Sequence, residues 1–147
     1  MVDISITLDD RKVRRDLNGL ADSILPLALR PVHIAAQWVA GRVQKDYLRG
    51  PRPEHLEVDT GRLRGSIHSM TVLTKNGIEG HVGTNVRGLR GFNYPKYWEL
   101  DGSAHGGPRP FLAPARDENW FKIAAIFKKE FKARLEKWLS ARGSSTT

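Results

Sequence analysis

Residues 66–75 and 78–85 form two strand-like runs on either side of Asn76-Gly77, the dipeptide best suited to a tight two-residue hairpin. This feature constrains the fold most, because it sets an antiparallel strand pair in the middle of a chain whose two ends are spaced for helix. Toward the N-terminus, Asp9 and Asp10 are placed to cap a helix with Val13, Leu17, Leu20 and Ile24 on its apolar side. Pro26 predicts an interruption. Pro31 then suits the first turn of a second helix carrying Ala35, Val39, Val43 and Tyr47, which Gly50-Pro51-Arg52-Pro53 would end. Residues 2–8 alternate apolar and polar in the manner of an outer strand. From Pro114 a last helix is expected with Trp120, Ile123, Phe127, Phe131, Leu135 and Trp138 on one face. Asp117 and Glu118 fall in its first turn, where the helix dipole favours acids. The expectation is an α+β fold: a small antiparallel β-sheet packed against two N-terminal helices and a long C-terminal helix. It forms a single domain over residues 1–142, with 143–147 as a disordered tail.

The chain has 147 residues, enough for one domain burying roughly 68–70% of its unfolded surface. With 39% hydrophobic and 27% charged residues, it lies far from the composition of disordered chains. Cysteine is absent, which excludes disulfides and thiolate chemistry and fits a reducing cytoplasm. The sequence carries no recognisable signal peptide, transmembrane run or lipidation motif, so the expectation is a soluble chain retained in the cell that makes it.

A formal charge of +8 invites a nucleic-acid reading. Half of that excess lies in residues 113–147, with eight basic against four acidic side chains. The remainder is diffuse, which describes a surface attractive to polyanions rather than a groove-reading element. Arg87-Gly88-Leu89-Arg90-Gly91 could touch phosphate, yet as a short basic loop it reads first as a solvated turn. The segment 94–99 reads as a short helical turn.

Catalysis finds little footing. His33, His55, His68, His81 and His105 are dispersed and show no zinc-ligand spacing. His68 and His81 could face each other across the hairpin as a solvent-facing or hydrogen-bonded pair. No phosphate loop, dinucleotide fingerprint or nucleophile elbow is present. Glu99 and Asp101 are close in sequence, but an acid and base pair needs spatial opposition and tuned surroundings. Capping a neighbouring loop is the simpler role. The chain is therefore expected not to be an enzyme and to carry no cofactor or metal.

What remains distinctive are two corners. At the first, Asp59 or Thr60 can cap a short helical turn over residues 61–64, while Gly61 and Gly65 allow backbone angles closed to other residues, and Leu63 can point inward. At the second, Pro110 and Pro114 bracket Phe111 and Leu112, making Phe111 a rigid plug, with Arg109 beside it as an exposed contact residue. Taken by themselves, both corners read as structural punctuation.

Their order adds more. Asp59-Thr60-Gly61-Arg62-Leu63 with Ser66-Ile67 is followed by Gly83-Thr84-Asn85, then by Tyr94-Pro95-Lys96-Tyr97-Trp98-Glu99 with Gly102-Ser103, and last by Arg109-Pro110-Phe111-Leu112-Ala113-Pro114-Ala115. This series resembles the tail-completion or neck-protein family of long-tailed bacteriophages and covers nearly the whole chain. It departs from that pattern at Pro95, where a small residue is usual, and at Leu100-Asp101, which lengthens the step from Glu99 to Gly102. The loop from Val86 to Asn93 is also long. The resemblance implies a structural virion component in the tail neck, assembled in the host bacterial cytoplasm as a homo-oligomeric, hexameric ring. Its partners would be the tail tube, the tail terminator and the head connector, with incidental DNA contact and no membrane. Asp59, Thr60, Gly61, Arg62, Leu63, Ser66, Gly83, Thr84, Tyr94, Tyr97, Glu99, Gly102, Arg109, Pro110, Phe111, Leu112 and Pro114 would be its structural and interface positions. The alternative is a basic nucleic-acid-binding module using the C-terminal helix and the Arg-Gly loop.

Overall fold

The computed structural model describes residues 11–49, 61–75, 77–101 and 107–143. The expected strand over 2–8, the Asp9 and Asp10 caps, the Gly50-Pro51 stop, Asp59, Thr60, Gly102 and the tail beyond 143 lie outside the described residues.

Helix α1 runs unbroken from Arg11–Arg42 with Pro26 and Pro31 inside it. The expectation of two N-terminal helices is therefore corrected to one. Each interior proline removes one ladder hydrogen bond and crowds the preceding turn, at a cost of about 3 kcal/mol. The pyrrolidine φ is itself helical, however, so a proline need not end a helix whose flanks are held elsewhere. Here the flanks are held: Pro31 is fully buried, and Ala35, Ala36, Val39 and Ala40 of the following turns are buried too. A wide π-helical turn, Val43–Tyr47, continues the helix and closes with Leu48 N–H donating to the Val43 carbonyl at 3.1 Å. It turns both Val43 and Tyr47 into the core.

Helix α2, Arg62–Ser66, starts from Gly61 at φ 71, a left-handed conformation that favours glycine. The turn expected at 61–64 thus exists, shifted by a residue, whereas Gly65 has no positive φ. Strands β1, His68–Thr74, and β2, Gly77–Gly83, pair antiparallel, with Thr71 opposite Gly80 and Thr74 opposite Gly77. Gly77, expected in the turn, is therefore not a turn residue. Gly77, at φ 141, is already the first paired residue of β2. The glycine is used for strand entry rather than as the second residue of the turn.

One face of the hairpin lies on α1. A Cβ on Gly80 would sit 3.1 Å from both Ala36 Cβ and Val32 Cγ1, so glycine is what lets β2 approach the helix this closely. On the same face, Thr71 Oγ1 lies 3.2 Å from His33 Nδ1. After the 3₁₀ turn Leu89–Gly91 comes α3, Tyr94–Leu100, whose first turn is capped by the Asn93 side chain accepting from Lys96 N–H.

The expected single C-terminal helix is divided into α4, Ala113–Asp117, and α5, Trp120–Gly143. Asp117 and Glu118 consequently end α4 and do not occupy the first turn of the long helix. Asn119 makes the break. Its Nδ2 donates to the Ala115 carbonyl at 3.0 Å, taking the acceptor that a continuous helix would offer its backbone. The Asn119 carbonyl then receives Ile123 N–H and starts α5.

The architecture is α+β: a two-stranded antiparallel sheet and α5 both pack on α1. The core joins Val39, Ala40, Val43, Tyr47 and Leu48 to Ile67, Phe111 and Ala115.

Candidate interaction surface

The site is organised by one carboxylate. Glu99, in the last turn of α3, accepts the backbone N–H of Phe111 (2.8 Å) and Leu112 (3.1 Å) on Oε2 and that of Ala113 (2.8 Å) on Oε1. These three donors face the start of α4, where no residue of the local chain supplies a side-chain cap. A charged acceptor brought from α3 satisfies them, and the cap expected of Glu99 is what the structure contains. Arg109 N–H donates to the Trp98 carbonyl at 2.8 Å, a second tie between the same two stretches. With its ends held, Phe111 is driven to 0% exposure, the plug that Pro110 and Pro114 predict. Arg109 differs from expectation. Its guanidinium lies 5.3 Å from the Trp98 ring centroid and the residue is half-buried, because a planar cation gains from an aromatic face that its flexible stem can reach.

The other motif residues fall around this corner. Tyr97 is flanked by Phe92 and Trp98, with ring centroids at 5.7 and 5.5 Å. Ser66 Oγ donates to the Leu63 carbonyl and lies 2.5 Å from Thr84 Oγ1, which in turn accepts Val86 N–H. Leu63 is half-buried against the core, as expected of an inward-pointing residue, and so is Leu112. Tyr94 opens α3, with its ring against Gly88, and Gly83 ends β2 opposite His68. Arg62 is exposed. The loop glycine at 91 and Arg90 both take positive φ, 76 and 56, and Arg87 and Arg90 are exposed.

The histidines do not converge. In the observed register His81 lies opposite Met70, and each histidine of the hairpin has a local partner: His68 Nδ1 the Ser66 carbonyl, and His81 Nε2 the Glu79 carboxylate. Among the described residues no cluster of metal-ligating side chains occurs, and no helix is long and apolar enough to cross a membrane.

A cluster not foreseen from the sequence sits behind the corner. The buried Tyr47 hydroxyl donates to Glu118 Oε2 at 2.5 Å and accepts from Asn119 Nδ2 at 3.2 Å. Burial, reinforced by the Glu118 bond, raises the phenol above its ordinary pKa of 10.0. The one sequence signal was Asn119 itself, a poor helix residue inside an otherwise helical run. On the surface, the hydrogen bond from Arg116 lowers the Asp117 carboxyl.

Beside the corner opens an apolar groove of about 710 Å³, lined by Val32 and Val39 of α1, Val82 of β2, and Trp120, Ile123 and Phe127 of α5. Trp120 and its neighbour Phe121 remain 59% and 88% exposed. The expected apolar face of the last helix is therefore only partly used within the subunit. Comparison of the chain with protein-family models, curated proteins and solved structures finds no match.

Proposed function

We propose that this chain is a structural assembly protein of a phage virion, a tail-completion or neck component that forms a ring at the head-proximal end of the tail and prepares it for joining to the head. The observation that carries the reading is the meeting of separate parts of the motif set. Glu99, from the aromatic-rich motif, holds the backbone of the Arg-Pro-Phe-Leu motif. Ser66, from the first motif, meets Thr84 of the second, and Ile67 and Phe111 share the core. Residues distant in sequence thus meet around one core, which supports a mechanical role.

The exposed Trp120 and Phe121 supply apolar surface that a lone subunit leaves in water. In a ring, each subunit would repeat one heterologous contact with the next, and the resemblance suggests a hexamer. Tail tube, tail terminator and head connector are the partners on this reading. Negative-stain microscopy of tails assembled with and without the protein tests it. The expected result is density at one tail end and a failure of bare tails to join heads; normal joining by tails lacking the protein overturns the completion role.

A further inference from the structure

We propose that the crevice between α1 and α5 around Arg134 binds the carboxylate of an acidic side chain carried on an aliphatic segment of a protein partner. The crevice measures about 600 Å³ and is lined by Pro26, Leu29, Arg30, His33 and Ile34 of α1 and by Arg134 of α5. These α1 residues are not the ones that face the apolar groove.

Two features define its chemistry. First, Arg134 Nε is buried and has no hydrogen-bond partner among the described residues. A guanidinium held partly out of water on a crevice wall gains from an acceptor brought to it. Second, Arg30 and Arg134 both line the crevice and, among the described residues, no acidic one does, so its field favours an anion. His33 contributes a ring whose Nδ1 lies 3.2 Å from Thr71 Oγ1.

The side edge of a guanidinium, Nε with one terminal nitrogen, matches two oxygens of a carboxylate or of a phosphate. The walls decide between them. Pro26, Leu29 and Ile34 offer aliphatic surface, which a peptide flank can cover and a phosphodiester cannot. A phosphodiester also brings polar ester oxygens and sugar hydroxyls against such walls, which costs more desolvation than one carboxylate on an aliphatic flank. The inference stands on the crevice alone and does not depend on ring assembly.

The test is a titration of the full chain followed by NMR of the arginine Nε–Hε and histidine ring signals, with capped Leu-Glu-Leu, capped Leu-Gln-Leu and inorganic phosphate as separate probes. The expected result is a saturable shift of Arg134 and His33 by Leu-Glu-Leu, with Leu-Gln-Leu weaker by about tenfold or more, equivalent to about 1.4 kcal/mol. Arg134→Met, which keeps the aliphatic stem, should abolish the shift of His33, Arg30→Gln should weaken it, and Lys137→Gln on α5 should leave it unchanged. Unaltered amide signals of the hairpin establish that Arg134→Met is folded; if they move, Arg134→Lys, which loses the planar edge, carries the comparison and should bind more weakly than the parent. No shift, equal shifts with both peptides, or parent-like binding by all the crevice variants overturns the proposal. Binding of phosphate as tight as that of Leu-Glu-Leu overturns it in favour of a nucleic-acid backbone.

Discussion

At the residue scale, Glu99 and Tyr47 show what a single polar atom does when the fold gives it several partners. Glu99→Ala would leave three backbone donors at residues 111–113 without their acceptor. With water reaching part of the site, the expected loss is about 2–3 kcal/mol in a urea melt. Glu99→Gln should recover only part of this, because its amide nitrogen would face one of the same donors. Phe111→Ala, at a fully buried position, should cost about 3–5 kcal/mol; a variant as stable as the parent would show that the ring is not core. Tyr47 adds a pH signature. Its folded-state pKa is raised above 10.0, so the unfolded chain loses the phenol proton first, and the tyrosine's contribution to stability is complete below about pH 10 and declines above it. Tyr47→Phe should therefore be less stable than the parent by about 1 kcal/mol at pH 8, and the gap should narrow at pH 10.5. Urea melts at the two pH values measure both, and a gap that widens with pH contradicts the raised pKa.

At the scale of elements, the two prolines of α1 act differently although both interrupt the ladder. Pro26 is exposed and Pro31 is buried. Pro26→Ala restores a hydrogen bond and removes no packing, so it should stabilise the protein by about 1–3 kcal/mol. Pro31→Ala gains the same bond but loses a filled site, so its melting point should move much less. Thermal melts of the pair test this directly. The contrast also explains what the sequence could tell. Period and punctuation revealed the hairpin, the short helix at 94–99 and the Phe111 plug, because each depends on neighbours a few positions apart. The same local signals misplaced the helix break at Pro26, where the packing of Pro31, Ala35, Ala36, Val39 and Ala40 outweighs a local penalty. They also missed the break at Asn119, whose side chain is held both by Ala115 and by Tyr47, 72 positions earlier. Gly80 likewise reads as a weak strand residue until Val32 and Ala36 are seen against it. The cap by Glu99 was legible as a role, while its three recipients depended on how the chain returns.

For the whole molecule, the decisive surface is the pair Trp120 and Phe121. Phe121, at 88% exposure, contributes little to the subunit's own stability, so Phe121→Ser should change the unfolding free energy in a urea melt by no more than about 0.5 kcal/mol. If subunits join through this surface, the same change should convert rings to single subunits in native mass spectrometry, and an unchanged ring population removes this surface from the interface. The double tie between α3 and the start of α4 has a further, practical meaning. Trp98 fastens Arg109 and Glu99 fastens Phe111, so the end of α3 and the start of α4 are held like two straps buckled side by side. Anything that pulls α4 away from α3 must therefore break these bonds together and not one by one.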